Sequence, residues 1–523
     1  MKKKIFIIAG IFVCLTIIST ITFILLRTGN EENNEISQST DKFTFRVTIP
    51  ENTPTEDIIF ITFTNISPNQ EDFPMEKVGA YVYELSFSKA DLEQAYDFPS
   101  IQYRYNRNGW GFPTTEYLPE GTLKDPDIDP IDETGMSYAY RVVQFEEDKI
   151  QEDSIDRWRW FPEDDVEFQD ISKLKPTGEF KARIGNEEFR SGLGIEDLYV
   201  PQLDAFFDKA AKRIKDKGFK WVVLYPPEQM KDKIPFPEVV NDPENNPNYP
   251  NVEKLNEHIE AFKKQGLKVY IEPQLCCDVI DTSNRTNEWY EAYADEVEKF
   301  LVRYAKISEK AGVDALLFDT FGIDTEMKDY NARINEIFDS IREVYSGEIS
   351  TKVLPFLAGV ETATHLIPEP QDIPIGSRVD FFIFDAEGQL SPKDNPTEAE
   401  LLEGASEILD ISKQVHDMYG KPVLVRSTYA SIKESWKGPS FYQSGKIPAH
   451  EDSEFVWQIH EYSGYDLARV DHAYMSAIKD RPWVIGFVHF GYTHWDMPLY
   501  PDWNIRAKEG EDVLEIWNEY VYS

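Results

Sequence analysis

The chain has 523 residues, too many for one ordinary hydrophobic core, so an N-terminal segment followed by two packed units is the expected division. Acidic residues outnumber basic ones by 94 to 54, a formal net charge of -40 that repels phosphate backbones and excludes nucleic acid as a partner. Of the three cysteines, Cys14 lies in an apolar leader and Cys276 and Cys277 are neighbours, which leaves no ordinary disulfide framework.

Lys2, Lys3 and Lys4 precede an apolar run from Ile5 to Leu26, long enough to cross a hydrocarbon core as one helix. The lysines predict a cytoplasmic start and an extracytoplasmic remainder, so residues 1–27 read as a single-pass cell-membrane anchor, with a cleaved signal peptide as the competing reading. Residues 28–41 (TGNEENNEISQSTD) are polar and free of aromatics and read as a flexible linker.

In the next unit, residues 42–163, Phe43, Phe45, Val47 and Ile49 alternate with polar residues and then meet Pro50, the period-2 signature of a half-buried strand. IIFITF (58–63), AYVYELSF (80–87) and IQYRYNR (101–107) repeat it between turn residues, which predicts an all-β, immunoglobulin-like antiparallel sandwich. The wording FTFRVTIPENTPTEDIIFITF, MEKVGAYVYELSF, YRYNRNGW and DSIDRWRW resembles the starch-binding modules of carbohydrate-binding family 20. That resemblance implies α-glucan binding by stacking on exposed tryptophan, and it carries this role to Trp110, after the tyrosine-rich strand. Trp158 and Trp160, at the closing strand, suit a core instead. The acidic run DPDIDPIDETG (125–135) reads as a solvated loop, and no metal site or cofactor is expected.

From residue 175 to 523 short apolar runs alternate with long amphipathic stretches, the rhythm of βα units around a parallel sheet. Seven strands are visible: WVVLYP (221–226), LKVYIEP (267–273), DALLFDT (314–320), TKVLPFL (351–357), DFFIFDA (380–386), KPVLVRS (421–427) and WVIGFVHF (483–490). An eighth is expected near GEFKARIG (178–185), which closes an α/β TIM (β/α)8 barrel.

Chemistry in such barrels sits at the C-terminal ends of the strands. The residues there are Tyr225 and Glu228, Glu272, Asp319 and Asp324, Glu361 and His365, Asp385 and Glu387, Arg426 and Ser427, then His489 and Trp495. Carboxylates ringed by aromatics suit glycoside cleavage, in which one acid protonates the leaving oxygen and another attacks or activates water. A polar barrel rim wetted by solvent is the plain alternative.

GLKVYIEPQL, the stretch EWYEAYADEVEKFLVRYAKISEKAGVDALLFDT, VDFFIFDAEGQLSP, KPVLVRSTYAS and RPWVIGFVHFGYTHW resemble glycoside hydrolase family 113, a clan-A family containing β-mannanases. That family ends its fourth strand with an acid/base glutamate and its seventh with a nucleophilic glutamate. This chain has Asp319, Thr320 and Phe321 at the first place and Ser427 at the second. The resemblance thus implies the barrel and a sugar ligand without the family's catalytic pair.

Two readings stay open. In one, a cell-surface glycoside hydrolase acts on a polysaccharide or oligosaccharide with relocated carboxylates. Asp319 is then nucleophile or base, Glu387 the acid with Asp385 beside it, and Trp495 and Tyr225 are sugar platforms. His489, Arg426 and Glu272 hold hydroxyls, unless His489 is simply a satisfied core histidine. The α-galactosidase type of barrel, which carries catalytic aspartates on its fourth and sixth strands, is similar to this arrangement. In the other reading the barrel binds glycan without cleaving it.

Overall fold

A computed structural model describes residues 42–63, 72–90, 92, 100–108, 114–118, 141–146, 148–158, 161–162, 168–181, 188–195, 205–231, 233, 235–240, 251–277, 285–320, 323, 327–353, 373–438 and 461–523. The anchor (1–27), the linker (28–41), Trp110, Trp160, the acidic run 125–135, Phe321, Asp324, Glu361 and His365 lie outside the described residues. Among the described residues no helix is long and apolar enough to cross a membrane.

The first unit contains β1 (Lys42–Thr48), β2 (Ile59–Phe63), β3 (Asp72–Pro74), β4 (Glu76–Lys77), β5 (Val82–Ser88), β6 (Ser100–Arg107), β7 (Arg141–Gln144) and β8 (Ile150–Ser154). They form two four-stranded sheets, ordered β4-β5-β1-β8 and β3-β2-β6-β7. The alternation read from the sequence is why they pack. Phe43, Phe45 and Val47 of β1 meet Ile61 and Phe63 of β2 and Tyr103 of β6 in one core, with the Phe45 and Tyr103 rings 4.8 Å apart. Trp158 belongs to that core and donates through Nε1 to Thr53 Oγ1 at 2.8 Å.

One pair departs from an antiparallel sandwich: β8 runs parallel to β1, Thr44 facing Ile150. The chain crosses from β7 in the second sheet to β8 in the first, and no tight hairpin dictates an antiparallel partner there.

The second unit begins with β9 (Arg190–Ile195), β10 (Trp221–Leu224), β11 (Pro227–Lys231), β12 (Glu238–Val240), β13 (Lys268–Ile271) and β14 (Gln274–Cys277). It continues through β15 (Ala315–Phe318), β16 (Glu348–Val353), β17 (Phe381–Ala386), β18 (Val423–Ser427) and β19 (Val484–Tyr492). Eight of these close a barrel in the order β9-β10-β13-β15-β16-β17-β18-β19, every neighbouring pair parallel. Parallel strands are buried on both faces, hence the unbroken apolar runs. Trp221, Val223, Tyr270, Leu317, Phe381 and Ile383 fill the interior. Val222, Leu224, Leu316, Phe318, Phe382 and Phe384 face the helices.

Those helices are α1 (Phe207–Asp216), α2 (Val252–Lys264), α3 (Asn287–Ala311), α4 (Tyr330–Arg342), α5 (Glu398–Tyr419), α6 (Gly464–Ile478) and α7 (Glu509–Tyr522). Local chemistry sets their ends. Helix α5 opens with a reciprocal capping box between Thr397 and Glu400 and stops at Gly420, whose φ of 66° suits a residue without a side chain.

Two features were not foreseen. The first barrel strand is Arg190–Ile195, not the expected GEFKARIG (178–185). Its sequence, RSGLGI, lacks an apolar run because its neighbours need the room. A Cβ on Gly192 would lie 3.0 Å from Trp221 Cβ, and one on Gly194 2.6 Å from the Tyr225 hydroxyl. Beyond the barrel, β11 pairs in parallel with β14 and antiparallel with β12, a small sheet that prolongs the second and third strands.

Candidate functional site at the C-terminal mouth of the barrel

Alternation along the strands sends Tyr225, Glu272, Lys352, Asp385, Arg426 and Phe490 to the inner side of the mouth, continuing the interior positions below them. Arg426 organises this layer. Its Nε donates to Asp385 Oδ1 at 2.5 Å and its Nη2 to Asp385 Oδ2 at 2.8 Å, a fork on one carboxylate. Its Nη1 reaches Glu272 Oε2 at 2.6 Å. The other Glu272 oxygen takes Lys352 Nζ and, at 3.0 Å, Gln274 Nε2.

Two carboxylates and two cations therefore balance in a buried ring. Burial pushes the Glu272 carboxyl up, but Arg426 and Lys352 outweigh it and hold it below the usual carboxylate range. Burial likewise lowers the Arg426 guanidinium, yet Asp385 and Glu272 raise it well above its ordinary value. Burial pushes the phenol of Tyr225, beside this ring, up.

The other two carboxylates of the expected catalytic set stand at the rim. Asp319 is half-buried just past β15, and its charge adds to burial in raising the phenols of Tyr293 on α3 and Tyr330 on α4. Glu387 is half-buried past β17, accepts from Thr428 Oγ1 at 3.4 Å, and adds to the rise of the Tyr429 phenol behind burial and Tyr474.

Four of the residues expected at the strand ends face elsewhere. His489 is fully buried and points outward, with Nδ1 3.1 Å from Asp471 on α6 and Nε2 3.0 Å from the Trp503 carbonyl. An extra residue in β19 opposite Val423 and Leu424 shifts its register, so counting alternation along the run puts His489 on the wrong side. Trp495 is 3 % exposed, its ring 5.8 Å from Phe206, and presents no platform at the mouth. Ser427 turns outward too, donating to Asp471 Oδ1 at 3.1 Å, so the inward side chain ending the seventh strand is Arg426. Glu228 is likewise outside the ring, held by Arg303 and by Tyr304 Oη at 3.0 Å.

Tyr225, expected as a sugar platform, is joined in an aromatic wall by two rings that had not been anticipated, Phe490 and Trp503. The rings of Tyr225 and Phe490 are 5.2 Å apart and those of Phe490 and Trp503 5.7 Å apart, and all three residues are half-buried. Phe490 reads in sequence as one more strand residue and Trp503 as part of a trailing loop. Lys352 was missed as well, although a lysine two residues after an interior serine in a barrel strand marks an inward charge. Among the described residues no group of His, Cys, Asp or Glu is arranged to hold a metal ion.

No protein-family model and no curated protein matches the chain. Among solved structures it is similar to a glycoside hydrolase family 113 β-mannanase from Alicyclobacillus acidocaldarius, at 16% identity and a TM-score of 0.48, over 64% of this chain and 99% of that one. It is also similar to an endo-β-1,4-mannanase from Thermotoga petrophila, at 12% identity and a TM-score of 0.42, over 64% and 77% of the two chains. For a family 1 β-glucosidase from Thermotoga maritima the figures are 12% and 0.36, over 65% and 98%.

Proposed function

We propose that the chain is a carbohydrate-active protein whose barrel mouth holds a glycan against Tyr225, Phe490 and Trp503 and cleaves a glycosidic bond with Asp319 and Glu387. The observation that carries this reading is the half-buried aromatic wall, which continues into a ring of charged side chains. Aromatic faces suit the apolar side of a pyranose, and carboxylate, guanidinium and ammonium groups suit its hydroxyls. Asp385 has both oxygens engaged by Arg426, so it serves as an orienting anion beside Glu387. Asp319 takes the part of nucleophile or base and Glu387 that of the acid. Glu272, with both oxygens likewise engaged, holds Arg426 and Lys352 in place, and these cations contribute the hydroxyl contacts.

The specific observation favouring the second reading, glycan binding without turnover, is Arg426 itself. A cation neutralising two buried carboxylates stands where the seventh strand ends inward. Hydrolysis assays and a glycan array on the purified chain, beside Asp319→Asn and Glu387→Gln, separate the two. The hydrolase reading expects turnover that falls about 10²–10⁴-fold in each variant while binding persists. Binding without turnover in all three proteins favours the second reading, and absence of both sinks the carbohydrate assignment.

The surroundings proposed for this activity are a cell surface. Lys2–Lys4 and the apolar run Ile5–Leu26 support a single-pass anchor with both folded units extracytoplasmic. The starch-binding-like wording of the sandwich supports an immunoglobulin-like module with Trp110 as a stacking residue.

A further inference from the structure

The wall residue Trp503 sits on the segment between β19 and α7, and buried contacts lay that segment against β19. Ile505 N donates to the Gly491 carbonyl at 3.2 Å and Thr493 N to Asn504 Oδ1 at 3.1 Å. The peptide joining Trp503 to Asn504 is held at both ends. Asn504 N donates to Asp502 Oδ1 at 3.1 Å, itself fixed by the buried Lys508 Nζ at 2.8 Å, and the Trp503 carbonyl lies 3.0 Å from His489 Nε2. Gly491 makes room for this close approach: its φ is 100°, and a Cβ there would lie 2.6 Å from the Trp503 carbonyl carbon and oxygen.

His489 links this peptide to the barrel's outer layer. A carbonyl only accepts, so Nε2 carries the proton toward Trp503. Nδ1 is 3.3 Å from Asp471 Oδ1 on α6, the same oxygen that takes the Ser427 hydroxyl at 3.1 Å. His489, Asp471 and Ser427 are each fully buried. A buried acid and base pair adds little stability over apolar packing. What this pair supplies is direction, because a ring oriented through one nitrogen presents the other at a set angle.

We propose that His489, oriented by Asp471, is a positioning residue that sets Trp503 beside Phe490 and so completes the aromatic wall. Its effect on glycan holding rests on the reading of the mouth given above, whereas its effect on Trp503 does not.

Two measurements on the whole chain test it. His489→Phe is made together with Asp471→Asn, so that no unpaired charge is buried, and Asp471→Asn alone is the control, since its amide can donate to Nδ1 and leave the proton on Nε2. Fluorine NMR with 5-fluorotryptophan reads the 11 tryptophans, Trp503→Phe identifying the Trp503 resonance. That resonance is expected to stay in place in the control and to shift or broaden in the double variant, while Trp158 in the sandwich core keeps its own. Gly491→Ala, which pushes on the same carbonyl with both partners present, is expected to move the Trp503 resonance too. In titration calorimetry with mannopentaose and cellopentaose, the double variant is expected to bind about tenfold more weakly than the control, the loss of one hydrogen bond. With Trp503 already alanine, the same change is expected to weaken binding less than about twofold. A Trp503 resonance identical in control and double variant, or an equal loss of binding with and without the Trp503 ring, would overturn the proposal. Failure of the unaltered chain to bind either sugar sinks the glycan reading alone, and the fluorine result then decides the role of His489.

Discussion

The two folded units each bury an ionic cluster, and the clusters respond to burial in opposite ways. In the sandwich, Arg141 is the one cation among the described residues that serves Glu116, at 2.7 Å, and Asp153, at 3.2 Å, and Asp153 also accepts from the hydroxyls of Tyr103 and Tyr105 at 2.8 Å each. Burial there raises the Glu116 carboxyl above its ordinary value, because the shared guanidinium offsets only part of the desolvation and Asp153 adds repulsion. At the barrel mouth the same burial acts on Glu272, but two cations face two carboxylates and the carboxyl is lowered instead. Cation count rather than depth decides the sign.

The largest expected effect comes from removing the cation that holds the mouth together. Arg426→Met leaves Asp385 without its fork and Glu272 with Lys352 and Gln274, and denaturant unfolding should lose about 3–5 kcal/mol. A loss under about 1 kcal/mol would mean the mouth is wetter than a buried ring and would break the contrast. Arg141→Met in the sandwich should cost less, about 1–3 kcal/mol, because Glu116 is already inclined to take a proton and shed its charge. If the two losses are equal, cation count is not what separates the clusters.

A smaller test is Gln274→Ala, which removes one hydrogen bond to Glu272 and should cost about 1 kcal/mol by the same measurement. The pH dependence is the mildest effect and differs in direction between the units. Glu272 titrates lower in the fold than in the unfolded chain. Its stabilisation is full above the unfolded value, about 4.3, and is lost as pH falls through the folded one. Glu116 titrates higher in the fold, so its penalty is absent below the unfolded value and grows as pH rises through the folded one. Stability profiles should therefore flatten above about pH 4.3 in Glu116→Gln and below it in Glu272→Gln. Flattening on the same side in both would reverse one sign.

Much of the barrel was legible residue by residue. A parallel strand buried on both faces has to be apolar throughout, so WVVL, ALLF and FFIF announce themselves, and Thr397 and Gly420 mark the ends of α5 by local backbone chemistry. Sandwich strands show equally plainly as alternation. RSGLGI did not read as a strand because its glycines answer to Trp221 and Tyr225, residues distant in sequence.

Of the expected site, Tyr225, Glu272, Asp385 and Arg426 do converge at the mouth. Strand-end position and residue type suffice to nominate them. Their pairing is another matter: Arg426 meets Asp385 across 41 residues of chain and Glu272 across 154, and closure of the barrel alone brings them together. The extra residue in β19 that turns His489 away, the burial of Trp495 against Phe206 and the approach of Trp503 to Phe490 are likewise products of packing between elements.

Sequence by itself determined most of the elements and their order, because burial on one face or two writes its period into consecutive residues, whereas RSGLGI and the small β11–β12–β14 sheet carry no such period. Only the tertiary structure decided which charges neutralise one another, because electrostatic partners are chosen by distance in space, on which local periodicity is silent.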